Sequence, residues 1–321
     1  MRLCRFRAGN VSRFGLYLDD KIVDLSNLWR AYFRQKGKGH AFKIDRPHQS
    51  ILDFLPPSQG YRIAKTLEAY YMKNRNGKIG GKPITLNAEG VELLAPIPNP
   101  SKFFFLAGNY VEHVEESGER AEEKKNTFPH LFMKPPSTTI TDPWKPIMRP
   151  IISPDHIDWE VELAVVIGKK VKGLKATEAL SAIAGYTIVI DVSDRRFRPN
   201  PNRKERPNDG FFDWLHGKWH DSFAPMGPCI TSSESITNPQ NLRLSLKVNG
   251  ETMQGSNTNR MIFTVVELIE FISSFVTLEP GDVISTGTPA GIGETRGRFL
   301  KHCDMIEAEI EGIGLLRNPV E

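Results

Sequence analysis

The sequence has 321 residues, with 42 Lys+Arg against 38 Asp+Glu and a net charge of +4. That length supports a sizeable core, one large domain plus a small one, and so mild a charge does not mark a nucleic-acid partner. Three scattered cysteines, Cys4, Cys229 and Cys303, exclude a disulfide framework and a thiolate zinc site, and no apolar stretch reaches membrane-spanning length.

Met1 to Arg7 lack an apolar run, so no secretory signal is expected, and the cytoplasm is the expected compartment. Residues 1–95 read as a small α+β domain. Phe14–Leu18 and Lys21–Leu25, joined at Asp19-Asp20, predict a hairpin. Helical segments follow near 26–35, 48–55 and 61–74, and 75–83 is a turn-rich connector. The proline-punctuated stretch Leu93 to Pro100 opens a second domain, 96–321. There, Phe103–Ala107, Leu131–Lys134, Glu160–Ile167 and Ala184–Asp191 read as strands. Val111–Ser117 and Lys175–Ala182 read as helices. Asn249-Gly250 between Leu242–Val248 and Glu251–Gln254 is a type I′ hairpin signal. Thr264-Val265-Val266-Glu267 has capping-box spacing and opens a helix to about Phe275. Val283–Thr286 and Ile306–Ile310 are further strands. Strands dominate without βαβ alternation, which predicts an α+β fold built on a mixed β-sandwich roll.

The chemistry gathers on Asp158 to Gly168. Glu160 and Glu162 fall on one strand face, followed there by Ala164 and Val166, while Val161, Leu163, Val165 and Ile167 line the other. By pattern alone this fits an edge strand with one solvated face. The apolar residues on both faces argue instead for a covered strand, where adjacent carboxylates need a positive partner. Mg²⁺, Mn²⁺ or Ca²⁺ suits such oxygen donors, and Asp191, ending the next apolar run, offers a third. His113 and Glu116, three apart, share a helix face; they are either an ordinary ion pair or a base with its orienting carboxylate. The other histidines (His40, His48, His130, His156, His216, His220, His302) show no ligand spacing and read as surface or packing residues.

Several stretches, in order, carry a family resemblance: Leu106 to Glu116, Phe132-Met133-Lys134-Pro135, Asp158 to Leu163, and Asp191-Val192-Ser193-Asp194-Arg195. Gly217-Lys218, Val248 to Glu251, Met261-Ile262-Phe263 and Thr286-Gly287-Thr288-Pro289 complete the set. From about residue 95 onward the chain resembles the fumarylacetoacetate hydrolase family. The resemblance implies a metal, usually Mg²⁺, on Glu160, Glu162 and Asp191. It implies His113 and Glu116 as a water-activating pair, and Lys218 beside the reacting acid. Lys134, Arg195 and Thr288 are implied substrate contacts. It further implies a homodimer and a small 2-oxo or diketo acid substrate, with no nucleic acid and no membrane. Hydrolysis of a C–C bond in an acylpyruvate-like acid is the expected reaction. Decarboxylation, isomerisation and 2-oxo-3-deoxy sugar acid dehydration use the same metal–enolate chemistry, and a non-catalytic metal-binding protein is the reading from another class. One departure stands out. Where many members carry Gln seven residues after the metal Asp, this chain has Arg198, within a basic stretch running to Arg206. That stretch is either a solvated loop or a lid selecting a second anionic group.

Overall fold

The computed structural model describes residues 1–36, 49–74, 78, 79, 82–116, 118, 120–122 and 124–321. His40, His48, parts of the 48–55 and 75–83 segments, and Ser117 of the Val111–Ser117 helix lie outside the described residues. In chain order the principal elements begin with β1 (Arg2–Ala8), β2 (Val11–Tyr17), β3 (Lys21–Asp24), α1 (Leu25–Lys36), α2 (Gln59–Lys73) and β4 (Thr85–Asn87). Next come β5 (Phe103–Ala107), α3 (Val111–Glu116), β6 (His130–Met133), β7 (Ile157–Asp158), β8 (Val161–Ile167), β9 (Ile183–Ile190) and β10 (Ser193–Asp194). The chain continues through α4 (Asp209–His216), β11 (Ala224–Ser232), β12 (Arg243–Val248), β13 (Glu251–Asn257) and α5 (Val265–Phe275). It closes with β14 (Val283–Ser285), α6 (Gly293–Arg296), β15 (Met305–Ile310) and β16 (Gly314–Pro319).

The fold is strand-dominated α+β. A 12-stranded mixed sheet has ten strands in the path β4-β3-β2-β1-β11-β9-β8-β14-β5-β6, with the short strands Leu93–Leu94 and Ile140–Thr141 pairing with β1 and β11 off it, and a 4-stranded sheet follows β13-β12-β15-β16. Strand β8 is buried along its whole length. Val161, Leu163, Val165 and Ile167 pack into a core shared with Leu244, Leu246, Ile306 and Ile310 of the smaller sheet and Leu268 and Ile272 of α5. Ala164 and Val166 enter the opposite core, with Leu25, Leu28 and Leu67. A one-residue slip of β8 would exchange these sets and drive the glutamates into the first core. Each buried Val, Leu or Ile contributes roughly 1.5–3 kcal/mol, so the register is firmly held.

The sequence reading assigned no strand to Ala224–Ser232, yet β11 is the seam of the large sheet. It takes β1 on one side (Arg2↔Thr231, Leu3↔Ile230) and β9 on the other. Pro225, Gly227 and Pro228 disguise it as a loop. Gly227 lies beside the register shift with β9, where an interrupted ladder tolerates a proline. Through this seam the strands of residues 1–95 continue the same sheet as the later strands. The Asn249-Gly250 hairpin forms, with φ of 52° and 80° at the two turn residues. The capping box at Thr264 and Glu267 opens α5. The expected Lys175–Ala182 helix is a 3₁₀ segment, Ala176–Ala182.

Asn109 ties three segments together just before α3. Its Nδ2 donates to Phe263 O (3.1 Å) and Thr286 O (2.8 Å), and its Oδ1 accepts from Phe263 N (2.8 Å). The side chain is buried. Asn109→Ala strands these backbone groups, and it should cost about 2–4 kcal/mol of stability, read as a lowered denaturant midpoint at unchanged slope.

Candidate active site

Backbone pairing creates the acidic cluster. Glu160 immediately precedes β8, Glu162 is its second residue, and Asp191 immediately follows β9. The ladder sets Val161 opposite Ile190, and Asp191 N then donates to Glu160 O at 2.8 Å. Oxygens of Glu160, Glu162 and Asp191 lie within 4.8 Å of one another, and all three residues are buried.

Three cations answer this charge, Lys134 and Lys218 buried and Arg195 partly buried. Lys218 Nζ bridges Glu160 Oε2 (2.9 Å) and Asp191 Oδ2 (2.8 Å). Lys134 Nζ donates to Asp191 Oδ1 (2.5 Å) and to the carbonyls of Val192 (2.9 Å) and Phe223 (2.7 Å). Arg195 donates to Asp158 Oδ2 (2.8 Å) and Glu160 Oε1 (2.5 Å). The ammonium of Lys134 lies 5.3 Å from the Phe105 ring centroid and that of Lys218 lies 5.4 Å from Phe132, so aromatic faces line the cationic side.

These contacts drive the carboxyl groups apart in acidity. Burial alone would raise Glu160, but Lys218, Arg195 and nearby His113 outweigh it and hold this carboxyl far below the usual range. Glu162 goes the other way: burial, Asp191 and Glu160 push it well above the usual range. Glu162 Oε2 accepts from Gly287 N at 3.0 Å, whereas its buried Oε1 has no hydrogen-bond partner among the described residues. Gly287 has φ +89°, and a Cβ there would come within 2.8 Å of Asn109 Cβ, so the turn needs glycine. Burial lowers the Lys134 ammonium to about 8 against the pull of Asp191. For Lys218 the attraction of Asp191 and Glu160 exceeds the cost of burial and raises it.

The donor set fits a hard divalent cation. All three donors are carboxylates on a rigid sheet, Glu162 Oε1 is unpaired, and each hydrogen-bonded carboxylate oxygen keeps a second lone pair.

His113 and Glu116 meet on α3, with Nδ1 2.7 Å from Glu116 Oε1. Glu116 Oε2 accepts from Gly291 N (2.7 Å) and Thr295 Oγ1 (2.9 Å). Burial opposes the Glu116 charge, but His113, Gly291 and Thr295 prevail and hold it below the usual range.

Two candidates fall outside this group. Arg198 is exposed and pairs with Glu205 at 2.7 Å. It lines a cavity of about 270 Å³ together with Arg195, Arg196 and Trp214. Arg203 and Arg206 tie the basic stretch to Asp209, and Arg203 also pairs with Asp213, so its cations are largely matched by acids. Thr288 is buried. Its hydroxyl donates to Val161 O (3.0 Å) and accepts from Gln254 Nε2 (2.9 Å), so it braces the start of β8.

Two supporting residues were missed from sequence. Asp158 is buried and accepts from Gly293 N (2.5 Å), Glu294 N (3.0 Å) and Arg195, joining α6 to Glu160. The alternation Asp158, Glu160, Glu162 was the available signal. Gln254 accepts from Val161 N (2.9 Å) and donates to Thr288 and Pro289, and no local pattern announces it.

A family model described as fumarylacetoacetate (FAA) hydrolase C-terminal matches residues 102–321. The chain belongs to this family. It is 43% identical over 232 residues to oxaloacetate tautomerase FAHD2A, mitochondrial, of Bos taurus, covering 72% of this chain and 69% of that one. Among solved structures it resembles 5-carboxymethyl-2-hydroxymuconate delta-isomerase from Mycobacterium smegmatis (29% identity, TM-score 0.66, covering 100% of this chain and 99% of that one). It also resembles maleylpyruvate hydrolase from Sphingobium sp. SYK-6 in complex with manganese(II) and pyruvate (25% identity, TM-score 0.70, covering 100% and 98%). The relatives are thus variously named tautomerase, isomerase and hydrolase.

The raised pKa of Glu162 gives a signed prediction. Its folded value lies above an unfolded value of about 4.3. The stability it lends the metal-free chain is therefore full below that unfolded value and lost as pH rises through the folded one. With chelator present, the stability of wild type relative to Glu162→Gln should fall as pH rises, by up to about 1.4 kcal/mol per unit. Parallel urea-denaturation curves across a pH series check this.

Proposed function

We propose that this chain catalyses keto–enol interconversion of a small 2-oxo dicarboxylic acid of the oxaloacetate class, with a divalent metal. One observation carries the reading: a buried carboxylate triad paired with Lys134, Lys218 and Arg195, with the His113 imidazole anchored on Glu116 at 2.7 Å. The naming of the 43% identical relative as an oxaloacetate tautomerase supports this choice of substrate.

Glu160, Glu162 and Asp191 would hold the cation, with Mg²⁺ the first choice and Mn²⁺ or Ca²⁺ the alternatives. When bound, it supplies Lewis-acid polarisation of a 2-oxo group and stabilises enolate charge. Lys218 and Lys134 keep positive charge fixed at the same carboxylates, so an anionic acid meets a largely neutralised site. Glu116 can only accept, so His113 donates from Nδ1, and in the neutral ring the lone pair is then on Nε2. That lone pair takes the proton from the carbon beside the 2-oxo group, the imidazolium so formed delivers it to the 2-oxo oxygen to give the enol, and the reverse direction retraces both transfers. Glu116, held by Gly291 and Thr295, fixes the ring and balances the imidazolium that forms.

A second reading uses the same atoms. His113 Nε2 can instead activate water for C–C hydrolysis of an acylpyruvate, and the neighbour named maleylpyruvate hydrolase favours it. Following the ultraviolet absorbance of enol-oxaloacetate with Mg²⁺ present tests the first reading. Wild type should accelerate its decay, and His113→Ala should lower kcat by about 10²–10⁴-fold with little change in KM. No acceleration of oxaloacetate tautomerisation, together with ¹⁸O from labelled water entering a new carboxylate of an acylpyruvate, would move the assignment to hydrolase.

A further inference from the structure

Lys218 and the Phe223 carbonyl that holds Lys134 sit at the two ends of one segment, residues 217–223. Its ends are pinned to the Asp191 loop by backbone bonds. Asp194 N donates to Gly217 O (2.9 Å) and Val192 N donates to Phe223 O (3.1 Å). The packing is tight, since a Cβ on Gly217 would lie 2.4 Å from Asp194 O. Besides the Lys218–Asp191 ion pair, a second side-chain pair joins the segment to the loop. His220 Nε2 lies 3.4 Å from Asp194 Oδ2. Neither atom has a hydrogen-bond partner among the described residues, and both are buried. The other oxygen, Asp194 Oδ1, accepts from Arg196 N at 3.0 Å. The His220 ring is seated edge-on against Phe197 and Phe223, each with ring centroids 5.0 Å away. The Asp194 side chain is fully shielded from solvent.

A buried carboxylate oxygen with nothing else to accept from is costly, and so is a buried imidazole nitrogen. Set against each other, an imidazole N–H aimed at a carboxylate relieves both. The two aromatic rings hold the imidazole where that contact can form. We infer that His220 and Asp194 are a positioning pair, which fixes the 217–223 segment so that Lys218 bridges Glu160 and Asp191. The pair touches none of the triad, and its effect reaches the triad through Lys218. This rests on the triad being a metal site and not on which reaction follows.

The test is a double-mutant cycle read by Mn²⁺ titration calorimetry on the full chain, so it does not depend on turnover. Lys218 shares two triad carboxylates with the metal, so Lys218→Met should change Mn²⁺ affinity at least several-fold and sets the scale. His220→Phe keeps the aromatic packing and removes the donor. It should shift affinity at least threefold in the same direction, and it should add nothing in the Lys218→Met background. His220→Gln, which presents an N–H near the Nε2 position, should restore wild-type affinity. If His220→Phe does not fold, Asp194→Asn replaces it, with the same expected direction and the same loss of effect in Lys218→Met. Unchanged Mn²⁺ affinity in the single variant, or an equal shift with and without Lys218, would overturn the inference. Absence of Mn²⁺ binding by wild type would instead remove the metal site on which it rests.

Discussion

The structure depends on keeping three carboxylates together inside a protein core. At a separation of about 4 Å, each like-charged pair costs on the order of 4 kcal/mol in an environment of intermediate dielectric. Glu160, Glu162 and Asp191 cannot scatter to relieve this, because two neighbouring strands fix their backbones. The fold supplies positive charge instead. Lys134 and Lys218 come from segments outside the β8–β9 pair, and Arg195 follows the second of those strands. Glu162 remains incompletely compensated, with one oxygen free and its acidity suppressed. That residual imbalance is what a divalent cation would remove.

Buried ion pairs of this kind are poor stabilisers. Desolvation takes back much of what attraction gives, and apolar side chains of similar volume often serve stability as well or better. A cluster of three acids and three bases is therefore better explained by chemistry than by folding. The same logic extends outward. Asp158 holds Arg195 and the start of α6, and α6 in turn presents Thr295 to Glu116. One short helix thus links the imidazole pair on α3 to the triad on the sheet.

Much of this was legible in the sequence. Period-two alternation placed Glu160 and Glu162 on one face, and the apolar residues around them argued for a covered strand. The i,i+3 spacing brought His113 to Glu116, and Asn249-Gly250 marked its hairpin. What was hidden depended on contacts between distant segments. Strand β11 was masked by its prolines and glycine, which only a register shift against β9 accommodates. By spacing alone Lys134 fits a surface lysine; only the fold reveals that it is buried against Asp191. Arg198 belongs to a charge-rich stretch, but Glu205 and Asp213 further along pair with Arg198 and Arg203, and the distant Glu294 pairs with Arg196. Gln254 and Asp158 act by hydrogen bonds across the fold; alternation with Glu160 and Glu162 hinted at Asp158, whereas no local pattern announces Gln254.

The central claim is that this cluster exists to hold a metal. Crystals grown with Mn²⁺, measured for anomalous scattering, test it most directly. The account predicts one strong peak between Glu160, Glu162 and Asp191, within bonding distance of Glu162 Oε1. A saturated crystal with its only peak elsewhere, and Lys218 still closing the triad as a purely internal salt-bridge network, would contradict it.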